Sequence, residues 1–277
     1  MTSLIRRIAH TPLCRPFLYW YRKQRLMRKG RKRLPSRVHI TAGSRTVWLE
    51  TKNWQTSQPC MDWTTSEGEF AYEPQETKVF KDIARGADTV FDIGANIGYY
   101  SLMAAAMGAK KIVAFEIEDA YTEELKRHAK TNNIDTIEIV DDPIGRSGQI
   151  IEIENFSALT KKRARSLDDF CKEKGYRPDV IKCDIEGYEY DALRGGAGII
   201  RSAQPKILLG LHANLLKTLG QSAEKVVNML HAWGYTIYPI MPSTHAHAQG
   251  PAIAKHTDIP EEVKNIVCLP SPPSSSH

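Results

Sequence analysis

From Thr89 onward, apolar positions alternate between two periods. Thr89–Ile93, Lys111–Phe115, Thr136–Val140, Val180–Asp184 and Ile207–Leu211 are short, nearly continuous apolar runs of strand length. Helical patterns separate most of them. One extends from about Tyr99 to Met107 and stops at Gly108. The next starts at Asp119, a good N-cap, and shows Tyr121, Leu125 and Ala129 at i, i+4, i+8 before fraying at Asn132-Asn133. Further helices are expected at Ser166–Glu173, around Tyr188–Leu193, and after Ser222, where Val226, Leu230 and Trp233 lead to Gly234. Upstream, Pro74 suits the first turn of a helix carrying Val79, Phe80 and Ile83 on one face. Residues 37–72 read as short strands and loops, and Gln149–Ile153 as a hairpin arm.

Strands alternating with helices of this length predict an α/β fold: a doubly wound, mostly parallel, Rossmann-like sheet with helices on both faces. Two late strands, Tyr235–Ile240 and Asn265–Leu269, bring the number to seven. No helix lies between them, which leaves room for one antiparallel strand.

Charge divides the chain. Of 277 residues, 42% are hydrophobic and 25% charged, the balance of a globular protein. Residues 1–37 hold twelve Lys/Arg and no acid; residues 38–277 hold 26 basic against 32 acidic residues, a balance of −6. The expected organisation is a basic, aromatic extension (1–37), strands and loops (38–73), the α/β domain (74–269) and a Pro/Ser-rich disordered tail (270–277). The high isoelectric point belongs to the extension and does not make the body a nucleic-acid binder.

In that extension, Phe17-Leu18-Tyr19-Trp20-Tyr21 adjoins a basic run from Arg22 to Arg33. The combination suits an anionic membrane surface, RNA, or a solvated helix packed on the body. No apolar run reaches the ~18–20 residues of a membrane span. Arg6, Arg7, Arg15, Pro12 and Pro16 interrupt any signal-peptide core. Five scattered cysteines without a C-x-x-C pair argue against disulfides and structural zinc, so a reducing, cytoplasmic setting is expected, with peripheral attachment to a membrane through residues 1–37.

The chemistry starts at Val90-Phe-Asp-Ile-Gly-Ala-Asn-Ile-Gly-Tyr99, a strand running into a glycine turn and a helix. Gly94 and Gly98 permit a tight turn, and Asn96 tolerates a left-handed conformation. Glu116 follows Gly94 by 22 positions at the end of the next strand, where a carboxylate can accept both hydroxyls of a ribose. Asp92 would repel a pyrophosphate and attract an ammonium or sulfonium. S-adenosylmethionine therefore fits better than NAD. Tyr99 and Tyr100 offer cation–π contacts to such a ligand or ordinary core packing.

Asp92-Ile-Gly-Ala-Asn-Ile-Gly98, Ala114-Phe-Glu116 and Ile181-Lys-Cys-Asp-Ile-Glu-Gly-Tyr-Glu189 resemble the motifs of FkbM-family methyltransferases. So do Tyr72–Thr77, Ser166–Asp169 and Leu193–Gly196; the resemblance covers about residues 69–240 in order. It implies a class I S-adenosylmethionine-dependent fold, with Asp92, Gly94, Asn96 and Gly98 lining the methionine end of the cofactor and Glu116 holding the ribose. Asp141 or Asp142 would lie near the adenine, although Asp142-Pro143 departs from the family's small apolar pair. Gly210-Leu211 replaces the family's acid before His212.

For chemistry, Asp184 and Glu186 share a face if the strand continues to Glu186. Such a pair supplies a base for a hydroxyl acceptor or holds a divalent cation, unless Lys182 and Arg194 neutralise it as structural ion pairs. His212 is the other candidate base. His245 and His247 form an H-x-H without a visible third ligand, so no metal site is expected. The resemblance implies O-methylation of a sugar, glycolipid or other metabolite hydroxyl. The alternatives are an RNA methyltransferase delivered by the basic head and a catalytically inactive, membrane-associated scaffold.

Overall fold

The computed structural model describes residues 35–53, 60, 64–65, 68–154, 159–241, 252–255, 258–259 and 263–272. A hairpin, β1 (Arg37–Ala42) and β2 (Arg45–Glu50), comes first. Then follow α1 (Pro74–Ile83), β3 (Thr89–Ile93), α2 (Tyr99–Ala106), β4 (Lys111–Phe115), α3 (Asp119–Thr131) and β5 (Ile137–Val140). A second hairpin, β6 (Ile150–Glu154) and β7 (Leu159–Arg163), leads to α4 (Leu167–Lys174), β8 (Val180–Cys183), α5 (Glu189–Gly195) and α6 (Ala197–Ala203). The chain continues through β9 (Lys206–Gly210), α7 (Ala213–Thr218), α8 (Ala223–Ala232), β10 (Tyr235–Pro239) and β11 (Asn265–Pro270).

Seven strands form one sheet in the order β10-β11-β9-β8-β3-β4-β5. Neighbours from β9 to β5 are parallel, whereas β11 is antiparallel to both β9 and β10. The reversed strand is the one that the missing connecting helix had allowed. Order reverses at β3, which lies between β4 and β8, so a crevice opens at the carboxyl ends of these strands.

Strand alternation builds two cores. Val90, Ile112, Val180 and Leu208 face α1, α2 and the β1–β2 hairpin. Phe91, Ile93, Val113, Phe115, Ile181 and Ile207 face the other way, against Leu167, Phe170, Leu193, Ile200 and Val226 of the opposite helices. The β1–β2 hairpin is fastened to the end of α3 by Asn132, which accepts from the Trp48 amide at 2.7 Å and donates to the Trp48 carbonyl at 2.7 Å.

Several local expectations change. The α3 N-cap is Glu118, with Asp119 inside the first turn. Ser166 and Ser222 do cap their helices, accepting from the amides of Asp169 and Lys225. Helices α6 and α7 had no counterpart in the sequence reading, being seven and six residues long, too short for a clear period. Strand β8 ends at Cys183, one residue earlier than expected. Residues 1–34, His245, His247 and residues 273–277 lie outside the described residues. No helix among the described residues is long and apolar enough to cross a membrane.

Candidate active site

The glycine turn joins β3 to α2 at the switch in strand order. Asn96 takes a left-handed conformation (φ 51°), and its side-chain oxygen accepts from the Ile97 amide at 2.8 Å. Gly94 has φ 81°, and a Cβ there would lie 2.1 Å from the carbonyl oxygen of Asp184. Its glycine is demanded by the approach of the chain leaving β8. Gly98 has φ 90°, and a Cβ there would meet Leu125 of α3 at 2.1 Å. These glycines serve the protein's own packing, which sets the shape of the turn.

Glu116 emerges at the end of β4, almost buried. Its Oε2 accepts from the Asn96 amide at 2.8 Å and its Oε1 from the Glu118 amide at 2.9 Å. Burial pushes its pKa up, partly offset by the amides of Glu118, Asn96 and Ile117. Each oxygen keeps lone-pair capacity, so the carboxylate can still receive two vicinal hydroxyls.

Asp92, two residues before the turn, lies inside the fold. Its side chain is fully buried; one oxygen accepts from Ser101 Oγ at 2.6 Å, and the other has Lys182 Nζ at 3.6 Å and no hydrogen bond among the described residues. Parallel register places Asp92 beside Lys182, on the same sheet face. With Ser101 of α2 on one oxygen and Lys182 of β8 near the other, the Asp92 carboxylate is engaged inside the fold. Lys182 also donates to the Gly94 carbonyl at 2.9 Å, lies 4.0 Å from Asp184 Oδ2 and sits over the Tyr100 ring. Burial opposes its charge, but Asp92, Asp184 and Glu73 outweigh that cost and raise its pKa. Tyr99 and Tyr100 are core residues: Tyr99 packs edge-on against Phe70 and Tyr72, and Tyr100 donates to Glu73 at 3.1 Å.

Beyond β8 the geometry separates the acid pair. Because the strand ends at Cys183, Asp184 and Glu186 do not share a strand face. Glu186 sits in a left-handed turn (φ 50°) and is exposed. Asp184 turns toward β9 instead, with Oδ1 3.5 Å from His212 Nε2. His212 Nδ1 lies 2.8 Å from Glu189 Oε1, within hydrogen-bond distance. Glu189 is fully buried and accepts from the Gly187 amide at 2.9 Å. His212 has a raised pKa, chiefly through the hydrogen bond to Glu189, against burial, with added attraction from Asp184 and Glu186. Of the two suggested neutralising cations, Lys182 is in place, and no ion pair among the described residues joins Arg194 to either acid.

Residues 92–237, which hold the glycine turn, Glu116, Lys182, Asp184, Glu189 and His212, match the methyltransferase FkbM domain over just over half of the chain. The chain belongs to the FkbM methyltransferases. Among solved structures it is similar to an FkbM methyltransferase from Methylobacillus flagellatus KT: 21% identity, 66% of this chain and 43% of that one, TM-score 0.45. It is also similar to a ribosomal protein L11 methylase from Lactobacillus delbrueckii subsp. bulgaricus: 14% identity, 72% and 77% of the chains, TM-score 0.44. A ribosomal protein L11 methyltransferase of Clostridium perfringens is 36% identical over 52 residues, 19% of this chain and 17% of that protein. The chain thus spans under a fifth of that curated relative and under half of the first solved structure.

In this FkbM domain the remaining site residues fall as follows. Asp141 is exposed at the end of β5, and its carbonyl accepts from Lys162 of β7 at 3.3 Å. Asp142 lies 3.5 Å from Arg165. Asp141 is thus the freer of the two acids at this strand end. Glu189 and Lys182 matter more than the sequence reading gave them credit for. Both stand inside the Ile181–Glu189 segment, and spacing within it carries no sign that Glu189 would fold back onto a histidine 23 positions later.

Proposed function

We propose that this FkbM protein is an S-adenosylmethionine-dependent O-methyltransferase acting on a hydroxyl of a sugar, glycolipid or other metabolite. The observation that carries it is the Asp184–His212 pair at the carboxyl ends of β8 and β9, 3.5 Å apart beside the glycine turn. Methylation of a hydroxyl benefits from a base that takes its proton, and this pair provides one.

The residues fit the cofactor. The rim is acidic, with Glu73, Glu116, Glu118, Asp184 and Glu186 near the buried Lys182, which suits a ligand bearing an ammonium and a sulfonium. Glu116 would hold the ribose hydroxyls, the Gly94–Gly98 turn the methionine end, and Asp141 the adenine end. When bound, S-adenosylmethionine supplies a methyl group already activated on sulfur. Asp184 and His212 then orient the acceptor oxygen and draw off its proton. Positioning of that oxygen supplies much of the rate.

Two measurements test this. Calorimetry with S-adenosylmethionine should show binding; its absence leaves the inactive-scaffold reading. Radiolabelled methyl transfer should enter glycan or lipid extracts. Label appearing in RNA instead would overturn the acceptor class.

A further inference from the structure

We propose that Glu189 is a positioning residue that fixes His212 with its proton on Nδ1, leaving Nε2 to receive the acceptor's proton. The proposal rests on the hydroxyl-methylation reading above and assigns the division of labour within that site.

Three observations carry it. First, the two carboxylates meet different ring nitrogens: Glu189 Oε1 is 2.8 Å from Nδ1 and Asp184 Oδ1 is 3.5 Å from Nε2. Asp184, Glu189 and His212 can each offer one atom within 4.8 Å of the others. A histidine using opposite nitrogens makes a relay, whereas three ligands of one ion would converge from one side. The nearby Lys182 ammonium, 4.0 Å from Asp184, also opposes a second cation.

Second, the two carboxylates differ in burial as the roles require. Glu189 is sealed, anchored by the Gly187 amide at 2.9 Å and by the Ile185 amide at 3.3 Å, so it cannot reach an acceptor. Asp184 and His212 are 28% and 27% exposed, enough to meet a ligand. Third, room for the pair depends on Gly210. A Cβ there would lie 2.9 Å from Asp184 Oδ1 and 2.9 Å from His212 Cε1, wedged between them.

In the step itself, the acceptor O–H bond breaks. Its electron pair stays on oxygen, where it becomes available to the methyl carbon, and the proton passes to Nε2. The imidazolium so formed lies between Glu189 on one side and Asp184 on the other, with Glu186 nearby, and it later releases the proton to solvent. A buried carboxylate that holds the imidazole tautomer and stabilises the imidazolium is the established logic of histidine bases.

The test uses the full chain labelled with ¹⁵N-histidine, following the His212 ring nitrogens by NMR across pH. The wild type should show neutral His212 with the proton on Nδ1 and a midpoint above the ordinary value of about 6.5. In Glu189→Gln the midpoint should fall by about one unit and the neutral form become a mixture of tautomers. Neutral wild-type His212 protonated on Nε2 overturns the proposal, even if the variant does not fold. An unchanged midpoint in a folded Glu189→Gln protein overturns it as well. Stoichiometric Mn²⁺ should leave the His212 signals sharp; selective broadening would overturn the relay in favour of a metal centre. Failure here is distinguishable from failure of the proposed function: wild-type protein that binds no S-adenosylmethionine sinks that function, whereas intact binding with the wrong tautomer sinks the relay alone.

Discussion

Two corners of the crevice hold carboxylates in opposite ways. At the β3–β4 corner, Glu116 is fastened by backbone amides of Asn96 and Glu118, close to it in the turn and the chain. At the β8–β9 corner, Asp184 and Glu189 meet the titratable His212 through side chains drawn from two strand ends and a helix, with Glu189 also anchored by the Gly187 and Ile185 amides. A group held by backbone has one fixed state. A group held by titratable neighbours changes state with theirs. The first arrangement suits binding and the second suits proton transfer.

The sharpest way to break this contrast is Asp184→Asn. S-adenosylmethionine should still bind by calorimetry, while methyl transfer should fall about 10²- to 10⁴-fold, the usual contribution of a positioned acid–base group. Equal loss of binding and transfer would mean both corners serve the cofactor. Gly94→Ala strikes the junction between the corners. Its Cβ would meet the Asp184 carbonyl at 2.1 Å in a left-handed backbone, so denaturant titration should show a loss of about 3 kcal/mol or more.

Glu116→Ala probes the binding corner alone. Losing hydrogen bonds to a charged acceptor is worth about 1.5–3 kcal/mol, so cofactor affinity should drop about 10- to 100-fold. Unchanged affinity would remove Glu116 from the ribose.

The proton-transfer corner should also be read out in stability against pH. His212 has a raised pKa in the folded protein, so its contribution is complete below the unfolded value of about 6.5 and is lost as pH rises through the folded value. Urea titrations should therefore find wild type exceeding His212→Gln by more at pH 6 than at pH 9. A gap that widens toward alkaline pH would contradict the Glu189 contact. The smallest effect is expected from deleting residues 1–34, which stops short of Arg37 at the start of β1. Cofactor affinity should stay within about twofold, and co-sedimentation with anionic vesicles should decline. Vesicle binding that survives would reassign the basic extension.

How legible each corner was follows from how it is held. The glycine turn, the left-handed Asn96 and the acid ending the next strand all follow from local backbone demands, and short-range spacing exposes them. The pairing of Asp184 with Glu186 failed because it assumed a strand that ends at Cys183; the left-handed Glu186 and Gly187 turn the chain away. The surroundings of Asp92 were hidden for another reason. Its charge was legible, but its direction depended on Lys182 beside it in the sheet and on Ser101 across the turn.

The sequence by itself determined the alternation of seven strands with helices, the glycine turn, Glu116 and the family, because period, caps and turn chemistry are properties of neighbouring residues. Only the tertiary structure decided which charges pair. Asp92 with Lys182 and Glu189 with His212 join residues 90 and 23 positions apart, brought together by parallel register and by the turn after β8. An ion's partner is fixed by distance in space, and that distance exists only once the sheet has formed.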